Sequence, residues 1–341
     1  MPGDGGVVRL LDVVSVVPCA DGFRFVRGAE SLRVRGPLGP LADAVDRLTS
    51  GVPERVEGAP VVARVAAALA ERGWLTADAP GYGVGEPVER QVGYLGMFGA
   101  DPVAMQRRLE RASVAVLGVG GVGAIVAQHL VGAGVRDLWL IDHDTVAPHN
   151  LNRQFVYRAA DVGSPKADRA AAALTSTAPG ARVRAVRAAV REPGDLDVLP
   201  ADLDLLVVAA DTPPDLPDRV WAWARGRGVP VCGAAVGLET GYWGPLLDPR
   251  RGHCLPCFEA RRTSLLAPAD VEVGAALTEP TRFSFGPVNT AVSAFLAYEV
   301  VRFLASGTCS IVNARRHLVF PSGRTEDLDG VACQCPPCGD G

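Results

Sequence analysis

The sequence has few aromatic residues, few charged residues and no strong excess of either charge. Aromatic residues make up 6% and charged residues 21% of its 341 residues, and the formal net charge is −4. A charge this close to neutral gives no bulk attraction to nucleic acid or anionic lipid. With a hydrophobic fraction of 48%, the composition is that of a globular protein of about two domains. We expect neither a nucleic-acid nor a membrane partner.

We also expect no targeting signal. Charged residues from Asp4 to Asp21 interrupt the N-terminal segment, so the sequence predicts no signal peptide and a cytoplasmic location. One long apolar run, residues 113–135, reaches the length of a membrane helix. Because it contains several glycines together with Gln128 and His129, we interpret it as a buried strand, a turn and a buried helix.

Cysteines are concentrated in two short groups. Cys254 and Cys257 form one Cys-x-x-Cys pair, and Cys335 and Cys338 form another, with Cys333 just before it. In a chain without a secretion signal, such pairs favour a metal over disulfides. Four thiolates in two pairs are typical ligands of a closed structural Zn²⁺ site. We therefore predict zinc on the two pairs; Cys333 could replace Cys335, and a disulfide or reduced thiols are alternatives.

The first 85 residues form a region of their own. Three β-rich runs between residues 7 and 35 precede two helical patterns, PLADAVDRLTSG and APVVARVAAALAERGWL. The second pattern has apolar residues at spacings of three and four. This order predicts a small winged-helix-like α+β domain over residues 1–85. The segment TADAPGYGVGEP, rich in Gly, Pro and Ala, then predicts a linker.

From Ser113 onward, apolar strands alternate with helices as far as VPVCGAAVGL. Continuous apolar strands in such an alternation are typical of a parallel sheet that is covered by helices on both faces. We therefore predict an α/β domain over residues 86–341 with a doubly wound, mostly parallel, Rossmann-like sheet.

A glycine-rich motif follows the first of these strands. Its glycines are Gly118, Gly120, Gly121 and Gly123. Glycines here let backbone N–H groups approach a phosphate at the positive end of the next helix. Asp142 ends the next strand, where a carboxylate can accept hydrogen bonds from ribose hydroxyls, and Asp144 follows in the same loop. The pattern predicts a nucleotide site, the alternative being a purely structural turn.

A polar loop and a lysine favour ATP over a nicotinamide cofactor. The loop contributes Asn150, Asn152, Arg153 and Gln154. Lys166 follows in the first turn of a predicted helix, where a cation opposes the helix dipole unless the site faces an anion. Asp211 ends a further strand, and its carboxylate suits Mg²⁺ beside ATP phosphates. A solvated surface lysine and a helix-capping aspartate are the alternatives.

These residues together resemble the E1-like adenylating superfamily of ThiF, MoeB and MccB type. The resemblance covers roughly residues 88–338. It rests on VLGVGGVG, LIDHDTVAPHNLNRQF, VGSPKAD, the strand-ending Asp211, GPVNTAVSAFLAYEVVRFL and the paired cysteines. It implies ATP-dependent adenylation of the carboxylate of a precursor peptide or small carrier protein, with Mg²⁺ as a cofactor and Zn²⁺ in a site of four cysteines.

The resemblance also implies individual roles. Asp142 would hold the ribose, and Asp211 would serve Mg²⁺ or the reacting phosphate. The phosphate contacts would come from Asn150, Arg153, Gln154 and Lys166. Arg90, in VERQVGYLGMFG, would reach into the partner subunit's site, so the active unit would be a homodimer.

One feature departs from part of the superfamily. No cysteine lies between Phe258 and Phe285, where enzymes that pass their substrate on as a thioester carry their nucleophile. The resemblance is therefore to enzymes that stop at the acyl-adenylate.

The first 85 residues resemble the PqqD-like recognition element of peptide-modifying enzymes. Such elements bind a leader peptide as an added strand on an exposed sheet edge. We therefore expect adenylation of a ribosomally made precursor peptide, with a downstream modifying enzyme as a further partner. The alternatives are a non-catalytic scaffold that delivers peptide to a cyclodehydratase, a sulfur-carrier adenylyltransferase, and a winged helix that serves only dimerisation.

Overall fold

A computed structural model of the chain describes residues 6–77, 85–178, 180–266 and 283–333. Contacts within the fold divide the chain into two compact units, Met1–Arg108 and Leu109–Gly341, which we call the N-terminal and C-terminal units. Each unit has hydrophobic core clusters of its own. Cys335 and Cys338, two of the predicted zinc ligands, lie outside the described residues.

The N-terminal unit combines two small antiparallel sheets with helices. Its strands are β1 (Val7–Leu10), β2 (Ser15–Cys19), β3 (Gly22–Arg27), β4 (Glu30–Arg35), β5 (Val52–Pro53) and β6 (Leu75–Ala77). Its helices include α1 (Leu38–Ser50), α2 (Pro60–Ala70) and α3 (Glu89–Leu95). The strand orders are β5-β1-β6 and β2-β3-β4.

The first β-rich run, which we predicted to be one strand, forms two strands in the structure. VVRLLDVVSVV forms β1 and β2, which belong to different sheets. The break is a turn in which the N–H of Val14 donates to the carbonyl oxygen of Leu11, while the N–H of Leu11 donates to Trp74. Apolar residues on both sides of this turn hide the break from a pattern of hydrophobicity.

The C-terminal unit is built on one eight-stranded sheet. Its strands are β7 (Ser113–Leu117), β8 (Asp137–Ile141), β9 (Arg182–Val186), β10 (Leu205–Val208), β11 (Val231–Val236), β12 (Thr240–Trp243), β13 (Ala314–Val319) and β14 (Arg324–Asp329). After α4 (Pro102–Arg111), the helices are α5 (Gly123–Gly132), α6 (Lys166–Thr177), α7 (Leu216–Arg227), α8 (Leu255–Ser264) and α9 (Gly286–Ser306).

The order of this sheet is β14-β13-β12-β11-β10-β7-β8-β9. Five neighbouring strands, β11, β10, β7, β8 and β9, pair in parallel, which confirms the predicted Rossmann-like sheet. Strands β12 to β14 extend it in antiparallel fashion, a feature that the sequence patterns did not predict. The chain winds from β7 toward β8 on one side and later places β10 on the other. The carboxyl ends of these strands therefore flank a topological switch point, where open α/β sheets bind ligands.

The apolar run of residues 113–135 is β7, the glycine-rich turn and α5, as predicted. Among the described residues, one helix, α9, is long and apolar enough to cross a membrane by length and composition. Half of its most apolar window is buried inside the fold. The core helix of a globular domain passes the same test of length and composition, and α9 packs in the core cluster that contains α5.

The core of the N-terminal unit depends on Trp74. Its side chain is 0% exposed, and the guanidinium groups of Arg27 and Arg72 lie 5.6 and 5.7 Å from its ring centre. We expect Trp74→Ala to lower the free energy of unfolding of this unit by about 3–5 kcal/mol, because a large buried side chain leaves a cavity.

Leu38→Ala is the matched control, since that side chain is 48% exposed and should change stability by about 0.5 kcal/mol or less. Urea unfolding followed by circular dichroism measures both variants. A Trp74→Ala protein within about 1 kcal/mol of the wild type would contradict this account of the core.

Candidate functional site

The glycine-rich turn lies at the switch point and is packed too closely for side chains. Gly118 follows β7 with a φ of +88°. A Cβ atom on Gly118 would lie 2.8 Å from the backbone of Ala209 and Ala210, which follow β10. A Cβ atom on Gly123 would collide with the carbonyl oxygen of Gly118. The turn therefore stays close to the strand ends, and Gly120 and Gly121 at its tip are half-buried at the start of α5, where backbone N–H groups can bind an anion.

Asp142 holds this turn to the end of β8. One oxygen of its buried carboxylate accepts a hydrogen bond from the N–H of Val119 (2.7 Å), and the other accepts one from the N–H of Asp144 (2.8 Å). Each carboxylate oxygen can accept more than one hydrogen bond. Asp142 can therefore orient the turn and still accept from a ribose hydroxyl, as the sequence predicts.

The polar loop lies against the same turn. Asn150 is buried, and its Oδ1 accepts a hydrogen bond from the N–H of Ala147 (2.8 Å), so it shapes the loop. Gln154 is also buried, and its Nε2 lies 3.7 Å from the position of a Cβ atom on Gly120. Its Oε1 has no hydrogen-bond partner among the described residues. A buried unpaired oxygen is costly, which fits a donor that a bound nucleotide would supply.

Arg153 brings a positive charge to the turn. Its Cδ lies 3.5 Å from the position of a Cβ atom on Gly121. The guanidinium donates to the carbonyl oxygen of His149 (2.7 Å) and to Oδ1 of Asn152 (2.9 Å). Burial lowers the pKa of Arg153 from its usual value, but an arginine of this kind remains charged at neutral pH. Asn152 thus orients Arg153.

Lys166 is the buried cation of the site. Its side chain is 9% exposed, and its Nζ lies 2.8 Å from Oδ2 of Asp144. Burial raises the pKa of Asp144, but the hydrogen bond and charge of Lys166 outweigh burial and hold that pKa below its usual value. Lys166 is also the only lysine among the 34 Lys and Arg residues of the chain. In a sequence that otherwise uses arginine, this single compact ammonium is a signal that a residue count could have revealed.

Two further residues shape the site and were not singled out from the sequence. The hydroxyl of Tyr157 donates to the carbonyl oxygen of Val119 (2.8 Å) and lies 3.4 Å from that of Lys166. Burial raises its pKa far above the usual value, so it stays protonated. The side chain of Asn289, in the first turn of α9, fills the space that a Cβ atom on Gly121 would need.

Asp211 and Arg90 lie in different parts of the chain. Asp211 is exposed just beyond Ala209 and Ala210, the residues that pack against Gly118. The helix-capping alternative is not supported, because the N-cap residue of α7 is Asp215. Arg90 is exposed on α3 in the N-terminal unit.

A group of cysteines suits a soft metal. The Sγ atoms of Cys254, Cys257 and Cys333 all lie within 4.8 Å of one another. Thiolates are preferred ligands of zinc, so the described residues fit the predicted metal with three donors. Arg315 holds α8 against the sheet nearby, since it donates to Oε1 of Glu259 (2.9 Å).

Comparison with known proteins places this geometry in a family. The profile of the ThiF family matches residues 88–336. The sulfur carrier protein adenylyltransferase of Thermus thermophilus is 33% identical over 246 residues, which cover 69% of this chain and 85% of that protein. The SAMP-activating enzyme E1 of Haloferax volcanii is 30% identical. Its alignment covers 69% of this chain and 83% of that protein.

Solved structures agree in fold. Escherichia coli MccB with MccA-N7isoASN has a TM-score of 0.80 at 21% identity, with 98% of this chain and 100% of that chain covered. The structure of PaaA has a TM-score of 0.66 at 22% identity. The match covers 78% of this chain and 91% of PaaA. At these identities the likeness concerns the fold, whereas the family profile and the sequence relatives carry the assignment. The chain therefore belongs to the ThiF family of E1-like, ATP-dependent adenylating enzymes.

Proposed function

We propose that the protein adenylates a carboxylate of a ribosomally made precursor peptide, with ATP as co-substrate. The observation that carries the proposal is the combination, in one chain, of the predicted nucleotide-binding residues grouped around the glycine-rich turn and an N-terminal unit with an open sheet edge. The C-terminal unit performs the chemistry, and the N-terminal unit holds the peptide. We further propose a cytoplasmic homodimer in which Arg90 acts in the partner's site.

In the proposed reaction, a carboxylate oxygen attacks the α-phosphorus of ATP. The bond from that phosphorus to the bridging oxygen breaks, and pyrophosphate leaves with its electron pair. Lys166 and Arg153 offset the negative charge that spreads over the phosphate oxygens, together with N–H groups of the glycine-rich turn. Asp142 orients the ribose. Mg²⁺, which Asp211 would hold, neutralises phosphate charge when bound.

The ion pair with Asp144 explains how the Lys166 ammonium can be held in place for this chemistry. Asp144 accepts the Lys166 ammonium through Oδ2, while its backbone carbonyl accepts the N–H of Lys166 (2.9 Å). Asp144 is itself fixed by the bond from its N–H to Asp142. The ammonium is therefore preorganised beside the turn, and little reorganisation is needed when charge develops.

The N-terminal unit offers an open edge at β4. The N–H of Gly36 donates to the carbonyl oxygen of Asp21 on the β3 side (3.0 Å). Because hydrogen-bonding direction alternates along an antiparallel strand, the N–H groups of Ser31 and Arg33 face away from β3. Among the described residues, no strand pairs with β4 on that side. Such an edge can accept an extended peptide as an added strand.

The opposite edge of this sheet is less suited to a peptide. The register pairs Cys19 with Gly22 and Pro18 with Phe23. The same alternation directs Pro18 to the outer side of β2, where a proline has no N–H to donate. The structure of the sheet therefore favours β4 as the site of strand addition.

The solved relatives support the peptide over other substrates. The sequence relative from Thermus thermophilus aligns with 69% of this chain, whereas MccB matches 98% of it in structure. Structures of MccB have been solved with MccA and with ATP. A match that includes the N-terminal unit is expected if that unit serves a peptide, and the PqqD-like interpretation remains part of this proposal.

One alternative retains the chemistry and changes the substrate. The identity of 33% to a sulfur carrier protein adenylyltransferase favours a small carrier protein as the source of the carboxylate. The non-catalytic scaffold is disfavoured, because Asp142, Arg153, Gln154 and Lys166 remain together around the turn.

Replacement of Lys166 tests the chemistry. We expect Lys166→Ala to lower peptide-dependent ATP–pyrophosphate exchange by about 100-fold or more, as for removal of one preorganised donor at a transition state. Lys166→Arg should not restore it, because a planar guanidinium does not fit a buried site for a compact ammonium.

The matched control for this experiment is Arg182→Ala, since that side chain is 72% exposed and should leave the exchange rate unchanged. Unaltered exchange in Lys166→Ala, or no ATP binding by the wild type with any peptide or carrier, would contradict the proposed chemistry.

Replacement of Ser31 tests the peptide edge. Ser31→Pro removes an outward N–H without removing a bond to β3, and we expect about tenfold weaker binding of the precursor peptide. ATP affinity and the free energy of unfolding should not change. Ser31→Thr keeps the N–H and serves as the control. Calorimetric titration measures the affinity, and equal peptide affinity in both variants would exclude strand addition at this position.

A further inference from the structure

The open edge of β4 lies beside a concentration of arginines. Side chains alternate between the two faces of a strand, so Arg33 and Arg35 share one face of β4, where both are exposed. The other face holds Leu32 and Val34, which are half-buried against the core of the N-terminal unit. We propose that the exposed face selects acidic side chains on the peptide strand that adds to β4, an inference that rests on the proposed function.

A further arginine stands directly opposite Arg33 on the neighbouring strand. The register pairs Arg24 of β3 with Arg33, and both side chains are exposed on the same side of the sheet, which we call the arginine face together with Arg35. Because Gly36 bonds to Asp21, the alternation makes Arg24 and Arg33 a pair without mutual hydrogen bonds, whose side chains lie close together. Like charges at such positions destabilise a sheet. A carboxylate on an added strand would offset this repulsion.

One carboxylate already shows how the arginine face holds an acidic group. The carboxylate of Asp21 lies 2.5 Å from the guanidinium of Arg33 and 3.1 Å from that of Arg35. The hydrogen bond from Arg33 holds the pKa of Asp21 below its usual value, so Asp21 is charged at neutral pH. Within the described part of this sheet, three arginines of one face therefore share a single carboxylate, and the face keeps a net positive charge.

The main-chain groups of the open edge lie alongside these arginines. The residues of β4 whose N–H and C=O groups point away from β3 are Ser31, Arg33 and Arg35, and their side chains all lie on the arginine face. Arg64 on α2 donates to the carbonyl oxygen of Arg35 (3.3 Å), so the open part of the edge runs from Ser31 to Arg33. An added strand there would place every second side chain on the arginine face.

The spacing of the arginines fits an extended peptide. Alternate residues of a strand lie about 6.6 Å apart, so acidic residues at alternate positions of the peptide repeat at the same distance as Arg33 and Arg35. A guanidinium can bind a carboxylate through two parallel hydrogen bonds. A nucleic acid would bring negative charge, but it lacks the regular N–H and C=O groups with which a sheet edge pairs. The arrangement therefore favours an acidic peptide.

Three synthetic peptides separate the effect of charge from that of strand addition. Each has eight residues with threonine at every second position, and the positions between carry aspartate, asparagine or lysine. Because each exposed ion pair contributes little by itself, we expect the full-length protein to bind the aspartate peptide about tenfold more tightly than the asparagine peptide, and the lysine peptide least. Calorimetric titration at low salt measures the affinities, and high salt should reduce the preference.

Replacement of the arginines tests which side chains carry the preference. We expect Arg33→Gln to weaken binding of the aspartate peptide about threefold and the double variant with Arg24→Gln about tenfold, with little change for the asparagine peptide. Arg24→Gln alone should unfold at the same urea concentration as the wild type or a higher one, because a contact between like charges is removed. Arg55→Gln is the control, since that side chain is 92% exposed and lies outside β2, β3 and β4.

The outcomes distinguish this inference from the proposed function. Equal binding of the aspartate and asparagine peptides, with both weakened by Ser31→Pro, would overturn the inference and leave strand addition in place. A preference for aspartate that Ser31→Pro does not change, or tighter binding of a single-stranded oligonucleotide than of the aspartate peptide, would also overturn it. The titrations contain no ATP, so a failure of ATP–pyrophosphate exchange would contradict the proposed chemistry alone.

Discussion

The carboxylate of Asp142 makes the interaction on which the proposed nucleotide site depends. It accepts one hydrogen bond from the glycine-rich turn and one from the N–H of Asp144. The first bond fixes the backbone that we propose approaches a phosphate. The second fixes the residue that holds Lys166. A single buried side chain at the end of β8 therefore sets the positions of both the main-chain donors and the cation.

The parallel sheet explains why these groups meet. β7, β8 and β10 are neighbours that run in the same direction, so the segments that follow them emerge at one edge. Gly118 follows β7, Asp142 follows β8 and Asp211 lies beyond β10. Tyr157 bonds to the carbonyl oxygen of Val119, and the side chain of Asn289 packs against Gly121. These contacts hold the turn and Lys166 in place without a ligand, which is the preorganisation that electrostatic catalysis requires.

Much of this arrangement could be predicted from local sequence patterns. The parallel sheet could be predicted because each strand and helix has its own periodicity. The family could be predicted because its motifs occur in the expected order. The catalytic and binding roles of all the site residues, Asp142 and Lys166 included, remain predictions. The antiparallel extension β12 to β14 was missed because its strands alternate weakly, and because α8 and α9 separate β12 from β13.

The remaining features depend on contacts between distant residues. Nothing in the spacing joins Asn289 to Gly121, or Cys333 to Cys254. Sequence periodicity reports the face of an element and not its partner in space. The only lysine is the opposite case, since a count of residue types is enough to mark Lys166 as unusual in this chain.

The central claim, that a carboxylate attacks the α-phosphorus of ATP, predicts where an oxygen atom travels. The most direct test supplies the full-length protein with ATP, Mg²⁺ and the precursor peptide whose carboxyl groups carry ¹⁸O, and analyses the nucleotides by mass spectrometry. The account predicts pyrophosphate without label and AMP that has gained one ¹⁸O atom when the acyl group is transferred from it. Label in inorganic phosphate, together with formation of ADP, would contradict it.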